Sequence, residues 1–126
     1  MTQATLADTN TGNVRMTAGE RAGIPPRRMD FEFSEDTNRY WYGDNAFLTT
    51  FWTTLSSLFP EGETFFVDSV KNYRDIITDP QQKAQVSGFI GQEAMHSKEH
   101  AAFNNMAAKH GFPAEQLDKE LGILLN

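Results

Sequence analysis

The chain contains no cysteine. That excludes disulfides, thiolate zinc sites, cysteine-held iron–sulfur clusters and cysteine nucleophiles. A chain without thiols suits a reducing compartment, and a cytoplasmic location is expected. No apolar run approaches the roughly 20 residues a membrane-spanning helix needs. The N-terminal stretch through Arg21 has no apolar signal-peptide core. Positive charge is scarce as well: 11 Lys and Arg stand against 17 Asp and Glu, a net charge of −6. A field of that sign repels phosphate backbones and anionic lipid, so nucleic acid and membrane surfaces are not expected partners. Gly-x-Ser-x-Gly, a phosphate loop and a dinucleotide fingerprint are all missing. His-Glu-x-x-His is missing too, since Ser97 follows the first of the paired histidines, His96 and His100. No alternation is long enough for a sheet, and there is no internal repeat.

What is present is a length of 126 residues, enough for one domain with a modest core, and ten phenylalanines to help build it. Residues 1–28 have few large apolar side chains and cannot offset their chain entropy, so they read as a disordered, mobile arm. The arm ends in Ile24-Pro25-Pro26-Arg27-Arg28. Residues 29–126 read as an all-α domain. Met29, Phe31 and Phe33 alternate as in a short extended segment laid against a core. Tyr40, Trp41 and Tyr42 suit a domain edge, and Asp44 or Asn45 can cap a following helix.

Four helices are expected after that cap. The first runs from about Ala46 to Leu58, with Phe47, Phe51, Leu55 and Leu58 as its apolar face. Phe59-Pro60-Glu61-Gly62 breaks or kinks it. The second spans about Pro60 to Thr78, with Glu63 on the stripe of Phe59, Phe66, Val70, Tyr73 and Ile77. The third and longest runs from about Pro80 to Lys109, with Asp79 as cap, His110 as a C-terminal capping residue and Gly111 as a stop. The fourth covers about Pro113 to Leu125 and carries Leu117, Leu121, Leu124 and Leu125.

The third helix carries the chemistry. At 100° per residue, Glu93, His96 and His100 share a sector about 60° wide. Phe89, Ile90 and Phe103 lie within or beside it. An unpaired carboxylate among apolar residues is costly and finds a partner or neutralises. A divalent cation supplies that partner and binds neutral imidazole and carboxylate oxygen. Glu-x-x-His is the i, i+3 pairing of di-iron and di-manganese carboxylate bundles, in which other helices add single inward-facing glutamates. Glu63 fits that added role. Glu99 lies next to the sector, as a speculative proton acceptor, a partner to an imidazole N–H or a solvated residue. Gln92 and Asn104 are placed either to orient ligands or to pack helices.

Three blocks give the chain a resemblance to a known family: Met29-Asp30-Phe31-Glu32-Phe33 with Trp41, Leu55 through Val70 including Phe59-Pro60-Glu61-Gly62-Glu63-Thr64-Phe65-Phe66, and Phe89 through Asn104 with Gln92-Glu93-Ala94-Met95-His96-Ser97-Lys98-Glu99-His100. Over about residues 28–126 the chain resembles a bacterial family of predicted metal-dependent hydrolases, similar in turn to the ferritin-like helical proteins. The resemblance implies a partial ferritin-like helical bundle with Glu63, Glu93, His96 and His100 as metal ligands. Family members are longer, with a second helical half bearing further Glu and His residues, so this chain corresponds to the N-terminal half of the family fold. A di-metal site takes about four carboxylates and two histidines. The two carboxylates and two histidines counted here are completed by a missing C-terminal half or by a second copy in a homodimer.

Three functions follow as expectations. The first is a metal-dependent hydrolase acting on a small-molecule substrate through one or two divalent ions. The second is a di-iron oxidase or oxygenase-type protein. The third is a non-catalytic helical interaction module, or a fragment of a longer chain. Iron, manganese and zinc all suit Glu and His ligands.

Overall fold

A computed structural model of the protein describes residues 15–125. The described residues form helices and turns with no strand. The helices are α1 (Ala18–Arg21), α2 (Ala46–Ser57), α3 (Phe59–Lys71), α4 (Pro80–Lys109) and α5 (Ala114–Leu125). The central element is α4, which packs against each of the other four.

Local chemistry accounts for most of the boundaries. Of the two cap candidates before α2 it is Asn45 that acts, accepting the Leu48 N–H at 2.9 Å. Leu58 closes α2 and opens α3, so the two helices meet at a kink with Pro60 in the first turn of α3. Asp79 accepts the Gln82 N–H at 2.7 Å and Pro80 begins α4. His110 is the C-cap of α4, and Gly111 takes the left-handed conformation at φ 83° that lets the chain turn away. The Asp118 carboxylate of α5 accepts the Glu61 N–H at 3.0 Å, satisfying one free donor at the start of α3.

Three expectations are corrected. Within the arm expected over residues 1–28, the stretch from Ala18 to Pro26 packs against α4, while residues 1–14 lie outside the described residues. A capping box between Thr17 and Glu20 starts α1. Gly19 then meets Gly88 of α4 so closely that a methyl on Gly88 would lie 2.6 Å from the Ile24 carbonyl oxygen. Close approach of two small residues, rather than burial of large ones, docks this segment, which is why its composition read as disorder. The Gln92 side chain also donates to the Pro25 carbonyl at 3.3 Å.

The second correction is the end of α3, at Lys71 rather than Thr78. Tyr73, Arg74 and Ile76 bond back three residues in successive turns. Tyr73 and Ile76 are exposed, so no packed face sustains a longer helix.

The third is the orientation of α2. Its expected apolar face points outward: Phe47 is 75 % exposed and Phe51 50 %. Thr49, Thr53, Ser56 and Ser57 are buried instead. The hydroxyls tolerate burial because each has a partner. Thr49 Oγ1 accepts the Tyr42 N–H, and Thr53 Oγ1 the Trp41 indole N–H, both at 3.2 Å. Ser57 Oγ donates to the Thr53 carbonyl at 2.7 Å. The small side chains let α2 lie close to α4 and α5. Among the described residues the fully buried apolar ones are only Met106, Ala107 and Ala114, so the interior is built chiefly from small and hydrogen-bonded groups.

Candidate metal centre

The kink between α2 and α3 sets Glu63 one turn into α3, facing α4. Glu63 is 2 % exposed and is among the largest fully buried side chains of the described residues. His96 and His100 face it from α4, where the four-residue interval stacks them on one side of the helix. His96 Nδ1 lies 2.6 Å from Glu63 Oε1, and His96 Nε2 lies 3.1 Å from His100 Nε2. The first contact is not aligned as a hydrogen bond, so both Glu63 oxygens are buried without a hydrogen-bond partner. One ligand atom from each of Glu63, His96 and His100 falls within 4.8 Å of the others. Two nitrogens held by one ion at about 2.0–2.1 Å stand about 2.9–3.4 Å apart in octahedral or tetrahedral geometry, and the imidazole pair falls in that range.

The electrostatics agree with this arrangement. Burial pushes the Glu63 carboxyl up to about 7, with Ser97 nearby acting against that shift and the Glu93 charge adding to it. Burial lowers His100 to about 4, with His96 adding to the effect, so the imidazole is neutral near pH 7 and has a lone pair to give. A buried carboxylate without hydrogen bonds, grouped with two imidazoles of which His100 is neutral, is a donor set a divalent ion satisfies.

Three of the four expected ligands therefore converge. The fourth, Glu93, sits at the rim: its Oε2 is 4.0 Å from His96 Nδ1, outside the tight group. Glu99 is engaged differently from its expected placements. Its two oxygens accept the backbone N–H groups of Asp30 at 2.9 Å and Phe31 at 3.0 Å, pinning the extended segment to α4.

Residues outside the ligand set hold the histidines. Phe59, at the kink, stacks on His100 with centroids 4.3 Å apart and planes 6° from parallel. Ser56 Oγ is 2.7 Å from His100 Nδ1, and Asn104 bonds Ser56 through both ends of its amide. The sequence left Asn104 open between orienting a ligand and packing helices, and it did not single out Ser56. The signal for Ser56 was present in the spacing of Thr49, Thr53 and Ser56, a hydroxyl stripe at i, i+4, i+7 that reads as a buried face once the phenylalanines are not assumed to be inside. A cavity of about 340 Å³ opens beside the cluster; His96 and His100 are on its wall with Phe33, Trp41, Trp52 and Phe103.

Fold and cluster together define an all-helical protein with a Glu–His–His group able to hold a metal ion. The model of the predicted metal-dependent hydrolase family matches residues 25–126, and the chain belongs to that family. No curated protein and no solved structure gave a match. Among the described residues no helix is long and apolar enough to cross a membrane.

Proposed function

We propose that this protein is a cytoplasmic, metal-dependent hydrolase-like protein that binds a divalent ion through Glu63, His96 and His100, with Glu93 as a fourth ligand or as holder of a second ion. The observation that carries this reading is Glu63, an acid buried to 2 % exposure with no hydrogen bond to either oxygen and with Oε1 2.6 Å from His96 Nδ1. A bound ion would supply Lewis acidity, polarising a substrate oxygen and acidifying a water. The chain's own residues do the rest. Glu63 provides negative charge from a dry position, His100 provides a neutral donor, and Phe59 shields one face of its ring from water. The aromatic wall of Phe33, Trp41, Trp52 and Phe103 suits the apolar part of a small substrate, whose polar group then reaches the histidines. Glu99, with both oxygens taken by backbone N–H groups, supports the wall in preference to moving a proton.

The ferritin-like relationship, the di-metal site and the pairing with a second copy or a C-terminal half belong to the same proposal. The exposed aromatic face of α2 supports a partner, since large apolar patches on a surface mark sites of association. An iron-loaded site would favour oxidase chemistry over hydrolysis. Elemental analysis of protein purified without added ions, beside Glu63→Ala, His96→Ala and Glu93→Ala, tests the core claim. The first two variants are expected to lose nearly all bound metal, and Glu93→Ala part of it. Equal metal in all four proteins removes the site. An optical spectrum under air separates iron from a colourless zinc or manganese protein.

A further inference from the structure

Resting on the ligand set proposed above, we infer that Ser56 and Asn104 are positioning residues that fix which nitrogen of His100 carries hydrogen, leaving Nε2 bare for the metal.

The argument starts from a group with no choice of role. The Ser56 backbone carbonyl can only accept, and Asn104 Nδ2 lies 3.1 Å from it. The amino end of the Asn104 amide must therefore face that carbonyl, so Oδ1 faces the other way. Oδ1 is 2.9 Å from Ser56 Oγ and is itself only an acceptor, so the single hydroxyl hydrogen of Ser56 is committed to it. Ser56 Oγ then has only lone pairs to offer His100 Nδ1, 2.7 Å away. That contact is a hydrogen bond only if Nδ1 carries the hydrogen. In the neutral ring Nε2 is then bare, and it is this nitrogen that stands 3.1 Å from His96 Nε2 inside the cluster. The alternative, Nε2–H, sets two bare acceptors face to face at 2.7 Å in a partly buried position.

The components are rigid. Ser56 and Asn104 are both buried, and the Phe59 ring lies parallel to the imidazole and blocks its rotation. Asn104 and His100 are four residues apart on α4 and share one face, while Ser56 reaches across from α2. The hydrogen-bond chain thus ties the register of α2 against α4 to the tautomer of a ligand. Metal-bound histidines commonly donate their second ring N–H to a fixed acceptor, and losing that acceptor costs about 10–100-fold in metal affinity.

The test uses the full chain labelled with ¹⁵N, measured metal-free at neutral pH and then titrated with Zn²⁺ as probe. In the wild type the His100 ring shifts should report hydrogen on Nδ1. Ser56→Ala should mix the two tautomers and weaken Zn²⁺ binding by about 10–100-fold. Asn104→Leu is the sharper variant. It does not remove the hydroxyl facing His100 but frees its hydrogen to point at Nδ1, so the tautomer should reverse and Zn²⁺ binding fall. Asn104→Asp, which in its protonated form keeps a donor for the Ser56 carbonyl and an acceptor facing the Ser56 hydroxyl, should retain the wild-type tautomer, a contrast that a purely structural role would not produce. Should Asn104→Leu fail to fold, Ser56→Ala and Asn104→Asp decide between them. Hydrogen on Nε2 in the wild type, or an unchanged tautomer in Ser56→Ala, overturns the inference. A wild type with the expected tautomer and no affinity for Zn²⁺ overturns the metal reading instead.

Discussion

The two faces of α2 run opposite to the usual division of labour. Its inner face is Thr49, Thr53, Ser56 and Ser57, all buried, and its outer face is Phe47, Phe51 and Leu55, all exposed. On the inner face each hydroxyl has a named partner, and Ser56 reaches a ligand histidine. On the outer face Phe47 stacks on Phe51, centroids 6.5 Å apart, and Phe51 meets Trp52 edge-on at 5.3 Å. The difference teaches that the interior of this protein is organised by hydrogen-bond satisfaction and close approach around a charged site. Its aromatic residues wall a cavity and dress the surface.

The strongest way to break that comparison is to remove the charge at its centre. If Glu63 is kept inside by a cation, chelation should lower the melting temperature of the wild type, and Zn²⁺ at 100 times its dissociation constant should restore about 2.7 kcal/mol. Glu63→Gln should lose nearly all of this metal-dependent gain. Thermal melts with EDTA and with Zn²⁺ measure both, and a melting temperature indifferent to metal in the wild type refutes the idea.

A smaller effect is expected from the hydroxyl stripe itself. Thr53→Val preserves shape but strips the Trp41 indole N–H of its acceptor, at a cost of about 1 kcal/mol in denaturant melts. A neutral result would mean that shape, and not hydrogen bonding, holds the inner face.

The titration of the metal-free protein sharpens the comparison next. The Glu63 pKa is raised in the folded state, from 4.5 to about 7, so its contribution to stability is fully present below pH 4.5 and is lost as pH rises towards 7. The His100 pKa is lowered, from 6.5 to about 4, so the folded state takes up its proton less readily than the unfolded chain, and stability rises with pH across that window. The two slopes oppose each other. In EDTA the wild type should therefore change little between pH 4.5 and 6.5, whereas Glu63→Gln, keeping only the histidine term, should grow more stable as pH rises. Parallel curves for the two proteins would contradict the assigned burial of Glu63.

The least effect is expected outside. Phe47→Ala alters a side chain that is 75 % exposed and should move stability by less than about 0.5 kcal/mol. Solution mass measured on the same variant reads the partner proposal: if the outer face pairs two copies, the variant shifts toward monomer.

Residues alone determined a good deal here. Asp79, Pro80 and Gly111 mark helix ends through chemistry acting over three or four positions, so the long helix was readable as running from about Pro80 to Lys109, while the cap of α2 stayed open between Asp44 and Asn45. His96 and His100 were readable as co-facial from helical geometry, and Glu63 stood out as an acid on an apolar stripe. Only the packed structure decided which face of α2 turned inward, that Glu93 would stand at the rim, and that residues 18–26 would dock through Gly19 and Gly88. Periodicity reports which side chains share a side of a helix. It does not report which side is cheaper to bury, because that depends on partners such as Trp41, Tyr42 and Asn104, which come from elsewhere in the chain and whose bonds exist only once the helices meet.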